Sequence, residues 1–168
     1  LVIFTGKQGK GKSVAMTSYA REMQLEYPLV KIIDNYGYKE SNKELSHWSD
    51  LINYNNGIYG VIAIIDERQN WFSCKQSKDF PPEMLQVITQ NRKNRRIILG
   101  TAQNFSNLAK DIRRQCTEVR ECRTFFNCIT VVRRKEPIMD DEGNVKEYII
   151  NAKVKELDPI NAKVGNEN

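Results

Sequence analysis

The chain has 168 residues, enough for one domain with a sizeable buried core. Hydrophobic residues make up 40% and charged residues 28%. That is an ordinary globular composition, which argues against a disordered or fibrous chain. The net charge is +5, and no apolar run approaches the roughly 18 residues that a membrane-spanning helix needs.

An apolar run, Leu1 to Thr5, predicts a first strand. Gly6 to Ser13 then read GKQGKGKS, an uninterrupted match to the phosphate-loop pattern G-x-x-x-x-G-K-[ST]. A helical stretch follows from Val14 to about Tyr27, where Pro28 stops it. The strand–loop–helix context separates a functional loop from a chance match. Its residues, Gly6, Lys7, Gln8, Gly9, Lys10, Gly11, Lys12, Ser13 and Val14, are the expected cradle for the phosphates of ATP. Small glycines let backbone N–H groups turn inward, and the helix adds its positive end. Lys12 is expected to reach the β- and γ-phosphates, and Ser13 to ligate Mg²⁺. Lys7 and Lys10 occupy variable positions and read as bystanders near the phosphates.

Leu29 to Asp34 predicts a short buried strand, ended by Asn35-Tyr36-Gly37. Leu45 to Tyr54 predicts a helix that Ser46 or Ser49 can cap, with His47 given a structural place beside Trp48. Val61 to Ile65 is continuously apolar, which fits a central parallel strand covered on both faces. Asp66-Glu67 follows at its end. Asp66 is the expected Mg²⁺ holder, and Glu67 the base that polarises a water attacking the γ-phosphate. The alternative is an acidic pair that merely caps or faces solvent.

The loop after Glu67 carries Trp71, Phe72, Lys75 and Lys78. It reads either as a nucleic-acid contact or lid, or as one packed aromatic among solvated residues. Pro81-Pro82 opens a predicted helix to about Lys93. Ile97 to Thr101 predicts another buried strand, and Gln103 just beyond it is either a γ-phosphate sensor or a loop amide bonding backbone. A short helix is expected near Ser106 to Arg114. Strands are then expected at Thr117 to Thr124, Asn127 to Lys135 and Lys146 to Val154. A turn at Asp140 to Asn144 makes the last two a C-terminal β-hairpin.

Strand–helix alternation gives an α/β fold with a mainly parallel sheet flanked by helices. A single domain is expected over residues 1–157, with a polar, disordered tail over 158–168. Cys74, Cys116, Cys122 and Cys128 form no C-x-x-C pair and read as free, buried or half-buried thiols of a reducing cytoplasm. Leu1 already lies inside a strand, so the chain reads as a fragment. The expected location is the cytoplasm of a bacterial host, with any membrane segment outside the chain.

Arg92 to Lys135 hold twelve Lys/Arg against three Asp/Glu, a net of +9, and the rest of the chain nets −4. This reads as a polyanion contact, as a subunit interface that meets phosphates, or as a solvated basic face. Arg92, Arg95, Arg96, Arg113, Arg114, Arg120 and Arg123 are candidates for an arginine finger acting in trans, or for phosphate-backbone contacts.

With GKQGKGKS, VIAIIDE and ILGTAQNF together, the chain resembles the additional-strand, catalytic-glutamate branch of P-loop ATPases and, within it, the FtsK/HerA superfamily. It is most similar to the N-terminal ATPase domain of the zonular occludens toxin (Zot) family, which includes filamentous-phage assembly proteins. The likeness spans about Leu1 to Val132. Its narrower part rests on NRKNRRIILGTAQN and on LAKDIRRQCTEVREC with Asp111-Ile112-Arg113-Arg114. The resemblance implies a P-loop NTPase sheet in the order 5-1-4-3-2. It also implies a homo-oligomeric ring, commonly a hexamer, with ATP between subunits, and a role in moving DNA, with virion or membrane partners. On this sequence it implies Lys12 and Ser13 for phosphate and Mg²⁺, Asp66 for Mg²⁺, Glu67 for the water and Gln103 as sensor. Two other classes compete: a P-loop nucleotide or small-molecule kinase, and an ATP-gated assembly module that is not a motor.

Overall fold

The computed structural model describes residues 1–66, 86, 88–91, 93–126, 128–140 and 142–150, and the backbone of 155–157. Glu67, Trp71, Phe72, Cys74, Lys75, Lys78, Arg92, most of the helix expected after Pro81 and the polar tail lie outside the described residues.

Nine strands among the described residues form one sheet. They are β1 (Val2–Thr5), β2 (Lys31–Asp34), β3 (Lys43–Glu44), β4 (Val61–Ile65), β5 (Arg96–Ala102), β6 (Glu118–Phe125), β7 (Ile129–Met139), β8 (Val145–Ile150) and β9 (Lys155–Leu157). The order is β3-β2-β4-β5-β1-β6-β7-β8, with β9 also on β7. Contacts from β3 through to β6 are parallel, and those of β7 with β6, β8 and β9 are antiparallel. The run β6-β1-β5-β4-β2 is the expected 5-1-4-3-2 order. The strand leading to Gln103 lies between the phosphate-loop strand and the Asp66 strand.

Both faces of the parallel part are covered, which is why its strands read as unbroken apolar runs. On one face Val2, Phe4, Ile32, Ile62, Ile64 and Leu99 pack under helix α1 (Lys12–Glu26) through Ala15, Met16 and Ala20. On the other face Ile3, Ile33, Ala63, Ile65 and Ile98 meet Leu51 of helix α2 (Trp48–Asn53) and Ile112 of helix α3 (Lys110–Gln115). Helix α1 ends where expected. Tyr27, before Pro28, leaves the helical region at φ −123°, ψ 77°.

Two expectations need correction. Helix α2 is capped by His47, not by Ser46 or Ser49. His47 is extended (φ −140°, ψ 155°), and its Nδ1 accepts from the Ser49 N–H at 3.3 Å. Asp50 closes the box by accepting from the His47 N–H at 3.0 Å. Leu45 precedes the helix and directly follows β3. The helix expected at Ser106 to Arg114 is split into a 3₁₀ turn, Phe105–Asn107, and α3. Buried Leu108 and Ala109 take extended ψ values (147° and 144°) between the two.

The C-terminal hairpin forms as expected, with β7 and β8 joined through the Asp140–Asn144 turn. A second hairpin, β6–β7, precedes it. Among the described residues no helix is long and apolar enough to cross a membrane.

Candidate active site at the strand tips

The phosphate loop joins the carboxyl end of β1 to α1. Gly6 has φ 148°, and a Cβ there would lie 2.6 Å from the Cys122 backbone oxygen of β6. Gly11 has φ 73°, and its Cβ would lie 2.5 Å from Thr130 Oγ1 of β7. Both positions therefore need glycine for conformation and for space. Lys12 is 9% exposed. Its Nζ donates to the Gly6 carbonyl at 2.9 Å and the Lys7 carbonyl at 3.3 Å, so the ammonium lies across the loop. Lys10, read as a bystander, donates to the Thr124 carbonyl at 3.4 Å and ties the loop to β6.

Asp66 follows β4 and joins three elements. Its Oδ2 accepts from Ser13 Oγ at 2.9 Å, and its Oδ1 from Thr101 Oγ1 at 2.7 Å. Asn35, just past β2, holds the Asp66 main chain from both sides. Its Oδ1 accepts from the Asp66 N–H at 2.8 Å, and its Nδ2 donates to the Asp66 carbonyl at 3.2 Å. The β4–β5 register, Ile65 opposite Gly100, puts Thr101 where its hydroxyl meets the carboxylate. Gln103 lies one residue beyond β5 and is exposed. Lys12, Ser13, Asp66 and Gln103 thus converge on neighbouring strand tips, where ligands of open α/β sheets bind.

Sequence reasoning passed over Asn35 and Thr101. Asn35 reads as part of a strand-ending turn and Thr101 as one more strand residue. The available signal is position alone, since both stand at carboxyl ends of strands beside Asp66.

Asp34 supports this corner. It is 2% exposed. One oxygen accepts from the N–H groups of Tyr36 (2.9 Å), Gly37 (2.6 Å) and Tyr38 (2.8 Å). The Tyr36 hydroxyl meets Thr17 Oγ1 at 2.7 Å, and Thr17 donates to the Ser13 carbonyl at 2.7 Å. Burial pushes the Tyr36 phenol up to about 12, against the lowering effect of its bond to Thr17. We expect Asp34→Ala to cost about 2–4 kcal/mol, since it removes a buried charged acceptor shared by three N–H donors. At this chain length that is a fall of roughly 5–15 °C in Tm. A thermal melt that stays within a degree of wild type would refute the anchoring role.

Part of the basic segment is engaged within the fold. Glu118 pairs with Arg120 and Arg134, and Glu121 with Arg123 and Lys135. Arg120 also lies 3.6 Å over the Tyr19 ring. Arg95, Arg96 and Arg113 donate to the carbonyls of Ile58, Tyr54 and Ser106. Arg96 is 6% exposed at the amino end of β5, away from the strand tips. Burial lowers its pKa, and a surface phosphate contact for it is ruled out. Cys116 and Cys122 are free and buried as expected, and burial pushes both thiols up to about 12. Cys128 is free but exposed.

Sheet order, phosphate loop and strand-tip site define the fold of a P-loop NTPase. The profile of the zonular occludens toxin (Zot) family matches residues 16–131, more than half of the chain. The chain belongs to the zonular occludens toxin (Zot) family. It is similar to the crystal structure of the N-terminal domain of zonular occludens toxin from Neisseria meningitidis, at 18% identity and a TM-score of 0.65, covering 90% of this chain and 92% of that one. It is also similar to the genome packaging NTPase B204 from Sulfolobus turreted icosahedral virus 2 in complex with ATP-gammaS. There the identity is 16% and the TM-score 0.58, covering 92% of this chain and 97% of that one. A search of the curated proteins gives no match.

Proposed function

We propose that the chain is a Mg²⁺-dependent ATPase whose hydrolysis drives DNA movement in packaging, extrusion or transfer by a phage or mobile element. The observation that carries the ATPase reading is the oxygen set Ser13 Oγ, Asp66 Oδ1 and Oδ2 and Thr101 Oγ1, held beside the phosphate loop. Hydroxyl and carboxylate oxygens at this spacing suit a small hard cation that keeps most of its waters. Ser13 and Asp66 would hold Mg²⁺, which supplies charge neutralisation at the β- and γ-phosphates. Lys12 would leave the Gly6 and Lys7 carbonyls for the phosphate oxygens. Glu67, adjacent to Asp66 in sequence, takes the proton of the attacking water, and Gln103 orients that water or senses the γ-phosphate. A second copy of the chain completes the site in a homo-oligomeric ring and supplies the arginine finger.

The DNA part rests on family membership and on the likeness to a genome packaging NTPase. The +9 segment is compatible with it: four of its basic residues pair with Glu118 and Glu121, acids already counted in that net charge, so the excess of positive charge remains. Phosphate release with and without double- or single-stranded DNA tests the proposal. Stimulation by DNA is expected, and Glu67→Gln should bind ATP while turnover falls by about 10²-fold or more. Transfer of phosphate to an added acceptor, or a rate indifferent to both DNA forms, would remove the motor reading.

A further inference from the structure

The β6–β7 turn stands against the phosphate loop. Thr124 and Thr130, paired across the hairpin, share a hydroxyl hydrogen bond of 3.0 Å directly behind Gly11. The next two residues outward are Phe125 and Phe126, and Phe126 is 91% exposed. It sits at φ 51°, a left-handed conformation that bulky residues rarely adopt. The Cys128 N–H bonds the Phe125 carbonyl at 3.2 Å and closes the turn around it. A large ring is thus held toward solvent two residues from a contact with the phosphate loop.

The direction of the bound triphosphate follows from the sheet. Asp66 and Gln103 end β4 and β5, which lie on one side of β1. The terminal phosphate therefore faces that side. A linear phosphate chain so oriented leaves its nucleoside on the other side of β1, where β6 is the neighbour and its turn projects. We propose that Phe126 is the platform on which the purine base of the bound nucleoside triphosphate stacks. The proposal rests on the nucleotide-binding reading above and extends it to the base. Stacking uses the ring face and does not read the base edge, so adenine and guanine nucleotides are both accepted.

The test is calorimetric binding of ATP, GTP and inorganic tripolyphosphate to wild type, Phe126→Ala and Phe126→Trp. Phe126→Ala should weaken ATP and GTP by about 5- to 100-fold and leave tripolyphosphate unchanged. Phe126→Trp should restore both nucleotides, and its fluorescence should change with ATP but not with tripolyphosphate. Wild-type affinity for ATP in Phe126→Ala, or an equal loss of ATP and tripolyphosphate, overturns the proposal. Wild-type protein that bound neither ATP nor tripolyphosphate would instead sink the nucleotide reading, and this one with it.

Discussion

Replacing Lys12 with alanine is expected to lower ATP turnover by about 10³-fold or more, with the fold intact. The ammonium is buried against two loop carbonyls, Gly6 at 2.9 Å and Lys7 at 3.3 Å. No other described side chain lies across the loop in this way. Phosphoryl transfer spreads charge over the γ-phosphate oxygens, and a fixed cation placed there acts on the transition state more than on the ground state. Alanine also releases two carbonyls to water, a cost of about 1 kcal/mol. At this chain length that corresponds to a fall of roughly 2–4 °C in Tm. Phosphate release and a thermal melt on the same preparation separate the two effects. A variant with turnover within tenfold of wild type would show that Lys12 is only a clasp for the loop.

Asp66→Asn is expected to reduce turnover by about 10²- to 10³-fold and to raise the Mg²⁺ concentration needed for half-maximal rate. The substitution keeps shape and loses charge. Asparagine retains one oxygen to accept from Ser13 or Thr101, and the Asn35 clamp on the main chain is untouched. The stability change should therefore stay near 1 kcal/mol, while the magnesium titration moves. An unchanged Mg²⁺ dependence would remove Asp66 from the metal site.

The parallel part of the fold is legible in the sequence because each strand is buried on both faces. Val61 to Ile65 has no polar position to blur its ends, and expected and observed bounds coincide. The β1–loop–α1 unit is legible for a different reason, since glycine spacing and Pro28 punctuate it. The site is half legible. Lys12, Ser13 and Asp66 belong to a local pattern, but Asn35 and Thr101 act through neighbours 31 and 35 residues away from them in sequence.

Local signals also mislead at α2. Serine is the commoner cap, yet the extended residue with an acceptor in reach is His47. Within the basic segment, the pairing partners are set by register. Arg134 reaches Glu118 only because β7 folds back on β6 with Arg120 opposite Arg134. A linear count of charge gives the net of the segment but not which residues meet.

The resting place of the Lys12 ammonium bears on how the loop receives an anion. A lysine waving in solvent must shed its hydration shell when phosphate arrives, and bulk ions compete for it until then. Here part of that dehydration takes place as the chain folds, with two neutral oxygens standing in for water. Capture of a triphosphate becomes an exchange of acceptors, weak for strong, at an ammonium already largely withdrawn from solvent. Ionic strength should then act mainly on the approach of the nucleotide and much less on its residence time.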